Sequence, residues 1–343
     1  METPRRTQTN VASPPRPNAA VAELQASPHP VTRRASSALR IAREVRGVAV
    51  PVGPCLAKAL ETRWQSYREQ LRRCQKDFSE ETVHELRVAT RRLIAQLVLL
   101  SCVIRSASLE KARRILKRRM VALGELRDTQ VQLTFIEGRA TRFPALGRMF
   151  TWLEQRERRL ARPAAKRVGR FKTKKLDKWV NALIHEIRAK GRGARAQNRL
   201  ASAVLEATAN AFAEAVGRRR AIDLADLGTI HQTRVAFKRF RYMVESLSPG
   251  ITGLSKRQLR ALAYYQRKMG IIQDLKVLEE CAAGFILEDK KAEIPLRPFG
   301  RYLRQRRARA LRSFLKAADR LFQFWPPAKL MAAPEPAATG SAE

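Results

Sequence analysis

Two segments of the chain set histidine, arginine and lysine at helical spacing: VHELRVATRRL at 83–93 and IHQTRVAFKRF at 230–240. On a helix advancing about 100° per residue, His84, Arg87 and Arg91 share one face, while Leu86, Leu93, Leu97 and Leu100 lie opposite. The second segment divides in the same way, with His231, Arg234, Lys238 and Arg241 against Phe237, Phe240, Val244 and Leu247. Such a row suits phosphate oxygens, because Arg offers a rigid two-pronged donor, Lys a compact charge and imidazole a further N–H. An isolated basic stripe is usually no more than a solvated helix face. The return of histidine at the same place in a second segment argues for more than that.

The two segments lie 147 residues apart, and they are not the only matched pair. LGELRDTQV at 123–131 is answered by MGIIQDLKV at 269–277, each with Gly followed four residues later by Asp and then by Val. A weaker pair sets LEQRERRL at 153–160 beside LRQRRARAL at 303–311. Three matches in one order indicate a duplication. The first copy spans about 54–170 and the second about 200–324, within a folded region of 50–325. The Gly-bearing basic stretch at 190–195 joins the copies, and Pro-rich tails at 1–49 and 326–343 are expected to be disordered.

Within each copy, apolar residues recur every three or four positions, and no alternating run of β-branched residues stands between turn signals. The expectation is an all-α fold of two tandem, pseudo-symmetric four-helix bundles. Helix breaks are expected near 75–79, 106–108 and 138–144 in the first copy, and near 224–228, 248–255 and 293–298 in the second. The helices before the Gly/Asp motif bring Arg114, Lys117 and Arg118 in one copy, and Lys256, Arg260, Arg267 and Lys268 in the other. These cations are candidates to complete a basic wall. The last helices supply Arg148, Arg156, Arg159, Arg301, Arg304 and Arg307, too densely for site and surface to be separated. Asp128 and Asp274 stand at equivalent places and are read as partners of a nearby Arg or as helix caps. His29 and His185 have no repeat partner and are read as incidental.

Composition bounds the partner. With 69 Lys+Arg against 31 Asp+Glu, the formal net charge is +38, which calls for a polyanion or an anionic surface. Hydrophobic residues make up 45% of the chain, enough for a large core. Cys55, Cys74, Cys102 and Cys281 show no CxxC spacing, so neither a zinc site nor a disulfide framework is indicated, and a reducing cytoplasm fits. The apolar stretch at 93–104 falls short of the ~20 residues a membrane span requires. An Arg-rich, acid-poor start resembles an organelle transit peptide in composition, but prolines from Pro4 to Pro30 oppose the amphipathic helix which that reading needs.

HELRVATRR and HQTRVAFKR, the latter running on into Arg241 and Tyr242, resemble the CHAD family of conserved-histidine α-helical domains, and the paired LGELRD and MGIIQD segments strengthen the likeness. It covers about 54–324. The resemblance implies two pseudo-symmetric bundles around a central basic pore or groove that binds inorganic polyphosphate, with association with polyphosphate granules in bacteria. Carried over residue by residue, it places His84, Arg87, Arg91 and Arg92 in one ligand set, and His231, Arg234, Lys238, Arg239 and Arg241 in the other. Leu93 stands where a further Arg often follows the RR pair, which is expected to weaken the first half's contact with ligand. Many relatives carry a triphosphate-tunnel (CYTH) domain with an ExExK strand, and no ExExK occurs here.

The expected function is therefore non-catalytic binding of polyphosphate, without cofactor or metal, in the cytoplasm and at polyphosphate granules. Sequence-independent nucleic-acid binding is the rival, disfavoured by an aromatic content of 6% and the lack of a stacking platform among the cations. A phosphohydrolase is a further alternative, disfavoured because no carboxylate cluster or nucleophile–base pair is evident. Metal chelation by the two histidines is disfavoured by the surrounding cations.

Overall fold

The computed structural model describes residues 51–247 and 254–325. The expected tails at 1–49 and 326–343, and the expected break at 248–255 apart from Leu254 and Ser255, lie outside the described residues. Among the described residues there are ten α-helices and no strand, as the apolar periodicity requires. They are α1 (Val52–Lys76), α2 (Glu80–Leu100), α3 (Ala107–Val121), α4 (Gly124–Glu137), α5 (Leu146–Gly169), α6 (Lys174–Lys190), α7 (Ala194–Arg220), α8 (Gly228–Ser246), α9 (Lys256–Glu288) and α10 (Glu293–Leu315).

Three of these helices open on serine. Ser79 and Thr82 form a reciprocal capping box at the start of α2, and Ser255 and Gln258 do the same for α9. Ser106 accepts from the Ser108 N–H at the start of α3. At the join between the copies, Gly193 takes φ 82°, a left-handed conformation that glycine adopts without the Cβ clash.

Two element boundaries differ from expectation. The first copy breaks at Ala122–Leu123 between α3 and α4, whereas the equivalent stretch of the second copy runs through as the 33-residue α9. At the break the Met120 carbonyl accepts from the Leu123 N–H at 3.4 Å and from Arg87 at 2.8 Å. The expected break at 293–298 is in fact the start of α10, the real interruption being Asp289 and a 3-10 turn at Lys290–Ala292. Pro295 falls in the first helical turn, where the missing N–H has no intrahelical partner, and Pro298 gives up a single bond just beyond it.

The apolar faces read from the sequence are buried as expected: Leu86, Leu93, Leu97 and Leu100 on α2, and Phe237, Phe240 and Val244 on α8 with Leu247 beyond it. Phe237 packs among Phe240, Tyr265 and Phe324 with ring centres 4.7–5.9 Å apart. Residues of both copies contribute to each of two cores. One lies among α1–α3, α6–α8 and the first half of α9, and the other among α4, α5, the rest of α9 and α10. The copies therefore share both cores.

α1 packs on α2 and α7 on α8, and the two histidine-bearing helices α2 and α8 pack directly on each other. α4 lies against α2, and α9 against α8. The ring is closed where Cys281 on α9 meets Gln132 on α4, with Sγ 3.3 Å from Oε1. No helix among the described residues is long and apolar enough to cross a membrane.

Candidate functional site

The contact of α2 with α8 decides where the cations go. Since both helices turn their apolar faces to the core, the opposite faces meet along a seam bordered by α4 and α9. Lys238 lies in the combined field of Arg87 and Arg91 from the first copy and Arg234 and Arg241 from the second. Burial, and then those four guanidinium groups, push its ammonium down to about 8. Arg87 is likewise held below its ordinary value by burial, with Arg91 and Arg127 adding to the effect and Asp128 opposing it.

These cations are not neutralised by ion pairs. Arg87, Arg91, Arg234 and Lys238 have no carboxylate of any described residue within 4.0 Å. Arg241 has Glu245 at 3.2 Å on its own helix. The Nε atoms of Arg91 and Arg234 are shut away from solvent without a hydrogen-bond partner.

The repeated Gly/Asp motif acquires a physical meaning here. Gly124 on α4 faces Arg87, and Gly270 on α9 faces Arg234: a Cβ built at these glycines would lie 4.0 Å from an Arg87 terminal nitrogen and 3.7 Å from Arg234 Nε. Each glycine thus gives the guanidinium a flat seat. Asp128 and Asp274 follow one turn further along the same helices. Asp128 opposes the depression of Arg87, and burial, with Asp128 adding to it and Arg234 opposing, holds Asp274 above the ordinary carboxylate range. Neither aspartate forms an ion pair within 4.0 Å with a described residue, and neither caps a helix, so the sequence reading of them as simple partners or caps is corrected.

Substitution at Gly270 separates the seat from the scaffold. Gly270→Ala is expected to raise thermal stability, by about 0.5–1 kcal/mol, because alanine loses less entropy in a helix and its methyl makes an ordinary contact. Gly270→Leu is expected to displace Arg234 and weaken anion binding, which titration of the two variants measures.

His84 is half-buried, with Nε2 4.0 Å from Glu85, and burial followed by Arg127 holds it below the ordinary imidazole range despite Glu85. It is therefore a neutral donor at physiological pH. His231 is exposed, and its side chain has no hydrogen bond or ion pair with any described residue.

Other expected site residues lie elsewhere. Arg92 faces Arg63 on α1, which itself donates to the Glu245 carbonyl at 3.0 Å, and Arg239 pairs with Glu214 on α7 at 3.1 Å. Each sits about 100° round its helix from the central cation before it, on the flank. Lys268 is tied to Ser313 on α10 at 2.8 Å, on the side of α9 away from Gly270. Arg114, Lys117, Arg118 and Arg260 are exposed and make no contact with the central cluster. Leu93 and its repeat equivalent Phe240 are both fully buried, so Leu93 belongs to the core, and the expected loss of ligand contact there is corrected. The asymmetry between the halves falls one residue later, with Ile94 opposite Arg241 in the alignment.

All four cysteines are free, and no group of three or more His, Cys, Asp or Glu able to hold a metal occurs among the described residues.

A family model described as CHAD domain matches residues 55–283. Among solved structures, the chain is similar to the crystal structure of the CHAD domain from the plant Ricinus communis, with a TM-score of 0.53 and 19% identity over 82% of this chain and 92% of that one. PptA from Streptomyces chartreusis matches with a TM-score of 0.47 and 18% identity over 81% of this chain and 100% of that one. No curated protein matches. The plant structure is a likeness of fold.

Proposed function

The chain belongs to the CHAD domain family, and from that premise we propose that it binds inorganic polyphosphate, without catalysis, at the cationic seam between α2 and α8. One observation carries the reading: Arg87, Arg91, Arg234 and Lys238, drawn from both copies, converge without a carboxylate partner among the described residues. A linear polyanion offers such a set many equivalent oxygens, so it satisfies the orphan donors in any register along its length. The proposed absence of catalysis rests on the lining, in which cations, two carboxylates and His84 stand without a nucleophile beside a positioned base among the described residues. Association with polyphosphate granules is part of the same proposal.

Binding of this kind is driven by release of counterions. By analogy with nucleic acids, the affinity is expected to fall about 10³–10⁵-fold between 50 and 200 mM salt if six to ten charges are engaged. A titration with long-chain polyphosphate at several salt concentrations tests this, and a flat salt dependence sinks it. Single-stranded RNA as competitor and a phosphate-release assay complete the test: displacement by equimolar RNA, or release of orthophosphate, contradicts the reading.

A further inference from the structure

Away from the seam, three arginines gather around one phenol. Arg139, just past the end of α4, donates through Nε to the Tyr302 hydroxyl at 3.1 Å and through a terminal nitrogen to the Phe135 carbonyl at 2.7 Å. Arg306, one turn beyond Tyr302 on α10, donates to the same hydroxyl at 3.0 Å. The Arg142 guanidinium stands 5.1 Å from the centre of the Tyr302 ring and 5.3 Å from that of Phe143. Phe143 in turn packs on Phe299 and Tyr302 at 5.5 and 5.3 Å, so the aromatic frame is tied to the second core.

Several arginines of the same helices are paired, Arg148 with Asp289, Arg156 with Glu125, Arg297 with Glu293 and Arg307 with Glu279, whereas Arg301, Arg304 and Arg309 on α10 have no carboxylate of a described residue within 4.0 Å. Arg139, Arg142 and Arg306 have no carboxylate of a described residue within 4.0 Å. Three like charges thus gather over one ring, Arg139 and Arg306 held by hydrogen bonds and Arg142 by ring contact alone, and their mutual repulsion is a cost that an oxyanion would offset. Burial pushes the Tyr302 phenol up, but the Arg139 hydrogen bond and the charges of Arg139 and Arg306 outweigh it and leave the group below its ordinary value. The stacking of Arg139 at 3.5 Å over Phe135 fixes one guanidinium plane before any ligand arrives.

The position of the triad links it to the seam. Gly124, Asp128, Val131 and Phe135 share one stripe of α4. Its first residue faces Arg87 and its last faces Arg139, roughly 16 Å further on at the helical rise, and Val131 between them is 42% exposed. Between the two ends the stripe is exposed at Asp128 and Val131, so a bound chain would have to pass one carboxylate.

We propose that Arg139, Arg142 and Arg306 form a second anion site, which takes a downstream segment of the same polyphosphate chain that occupies the seam. The proposal rests on the polyphosphate reading and adds a dependence on chain length. Two sites joined by one ligand raise its affinity through effective concentration, so a long chain gains where a short one does not.

The test compares long-chain polyphosphate with tripolyphosphate on four versions of the full chain: the unaltered protein, Arg142→Ala/Arg306→Ala, Arg195→Ala/Arg199→Ala as a control for lost charge on α7, and Arg87→Ala/Arg91→Ala. The Arg142/Arg306 variant is expected to bind the long chain at least about tenfold more weakly than the charge control, with tripolyphosphate unaffected. Equal loss for both ligands, no loss beyond the control, or a loss confined to single-stranded RNA each overturns the second site. Failure of the seam itself reads differently, as tripolyphosphate binding that survives Arg87→Ala/Arg91→Ala.

Discussion

Replacing Arg87, Arg91, Arg234 and Lys238 together with alanine is expected to weaken polyphosphate binding at least ~100-fold while the protein stays folded. Each charge-assisted hydrogen bond is worth roughly 1.5–3 kcal/mol, so losing even two of the four suffices for that drop. Stability should not suffer. The four side chains are only half-buried, they repel one another around Lys238, and only Arg87 supports the scaffold through a hydrogen bond, that to Met120. The melting temperature is therefore expected to hold or rise, and circular dichroism to be unchanged. A folded variant that binds as tightly as the original protein removes the seam as the binding site.

Affinity is also expected to fall as pH rises from 8 to 10, by as much as about tenfold per unit. Lys238 is the cause, since in the free protein its ammonium is held down to about 8 by burial and by Arg91, Arg234, Arg241 and Arg87. A phosphate chain favours the charged form and raises that value, so below pH 8 the charge is already present, whereas above it binding must take up a proton. The free protein changes in the opposite direction. A lysine depressed in the folded state is more protonated when unfolded, so its contribution to stability grows as pH rises from about 8 towards the ordinary lysine range. His84, held below its ordinary range, is already neutral across this interval. Lys238→Arg should flatten the affinity profile, because a guanidinium stays charged throughout. Isothermal titration in buffers of different ionisation enthalpy reads the proton uptake directly. A slope that persists in Lys238→Arg assigns the titration to another group.

Much of this arrangement was legible in the sequence because helical periodicity is a local property. The division of α2 into a Leu86–Leu93–Leu97 face and an Arg87–Arg91 face follows from residue spacing alone, and the serines at 79, 106 and 255 mark helix starts by their own hydrogen-bonding chemistry. Adjacency in sequence misled where geometry intervenes. Arg92 and Arg239 follow the central cations by one residue, and one residue is enough to carry them to the flank. The repeated glycine was visible as a motif, but its use as a guanidinium seat depends on how α4 and α9 dock, which no spacing encodes. Lys268 was read into the basic wall, yet α10 holds it on the other side of α9. The Arg139–Arg142–Arg306 group escaped for a further reason, since Arg139 and Arg142 lie some 160 residues from Arg306 and the three meet only in the fold, over Tyr302 and Phe135.

Asp128 and Asp274, one turn beyond the two glycine seats, bear on how long a bound polymer remains. If the seam holds polyphosphate as proposed, carboxylates beside Arg87 and Arg234 raise the free energy of every phosphate there, so dwell time would be shorter than an all-cationic lining would give. On the polyphosphate reading, this spares a protein of such positive charge from becoming a permanent trap for its ligand and keeps exchange between one polymer and the next within reach of ordinary thermal motion.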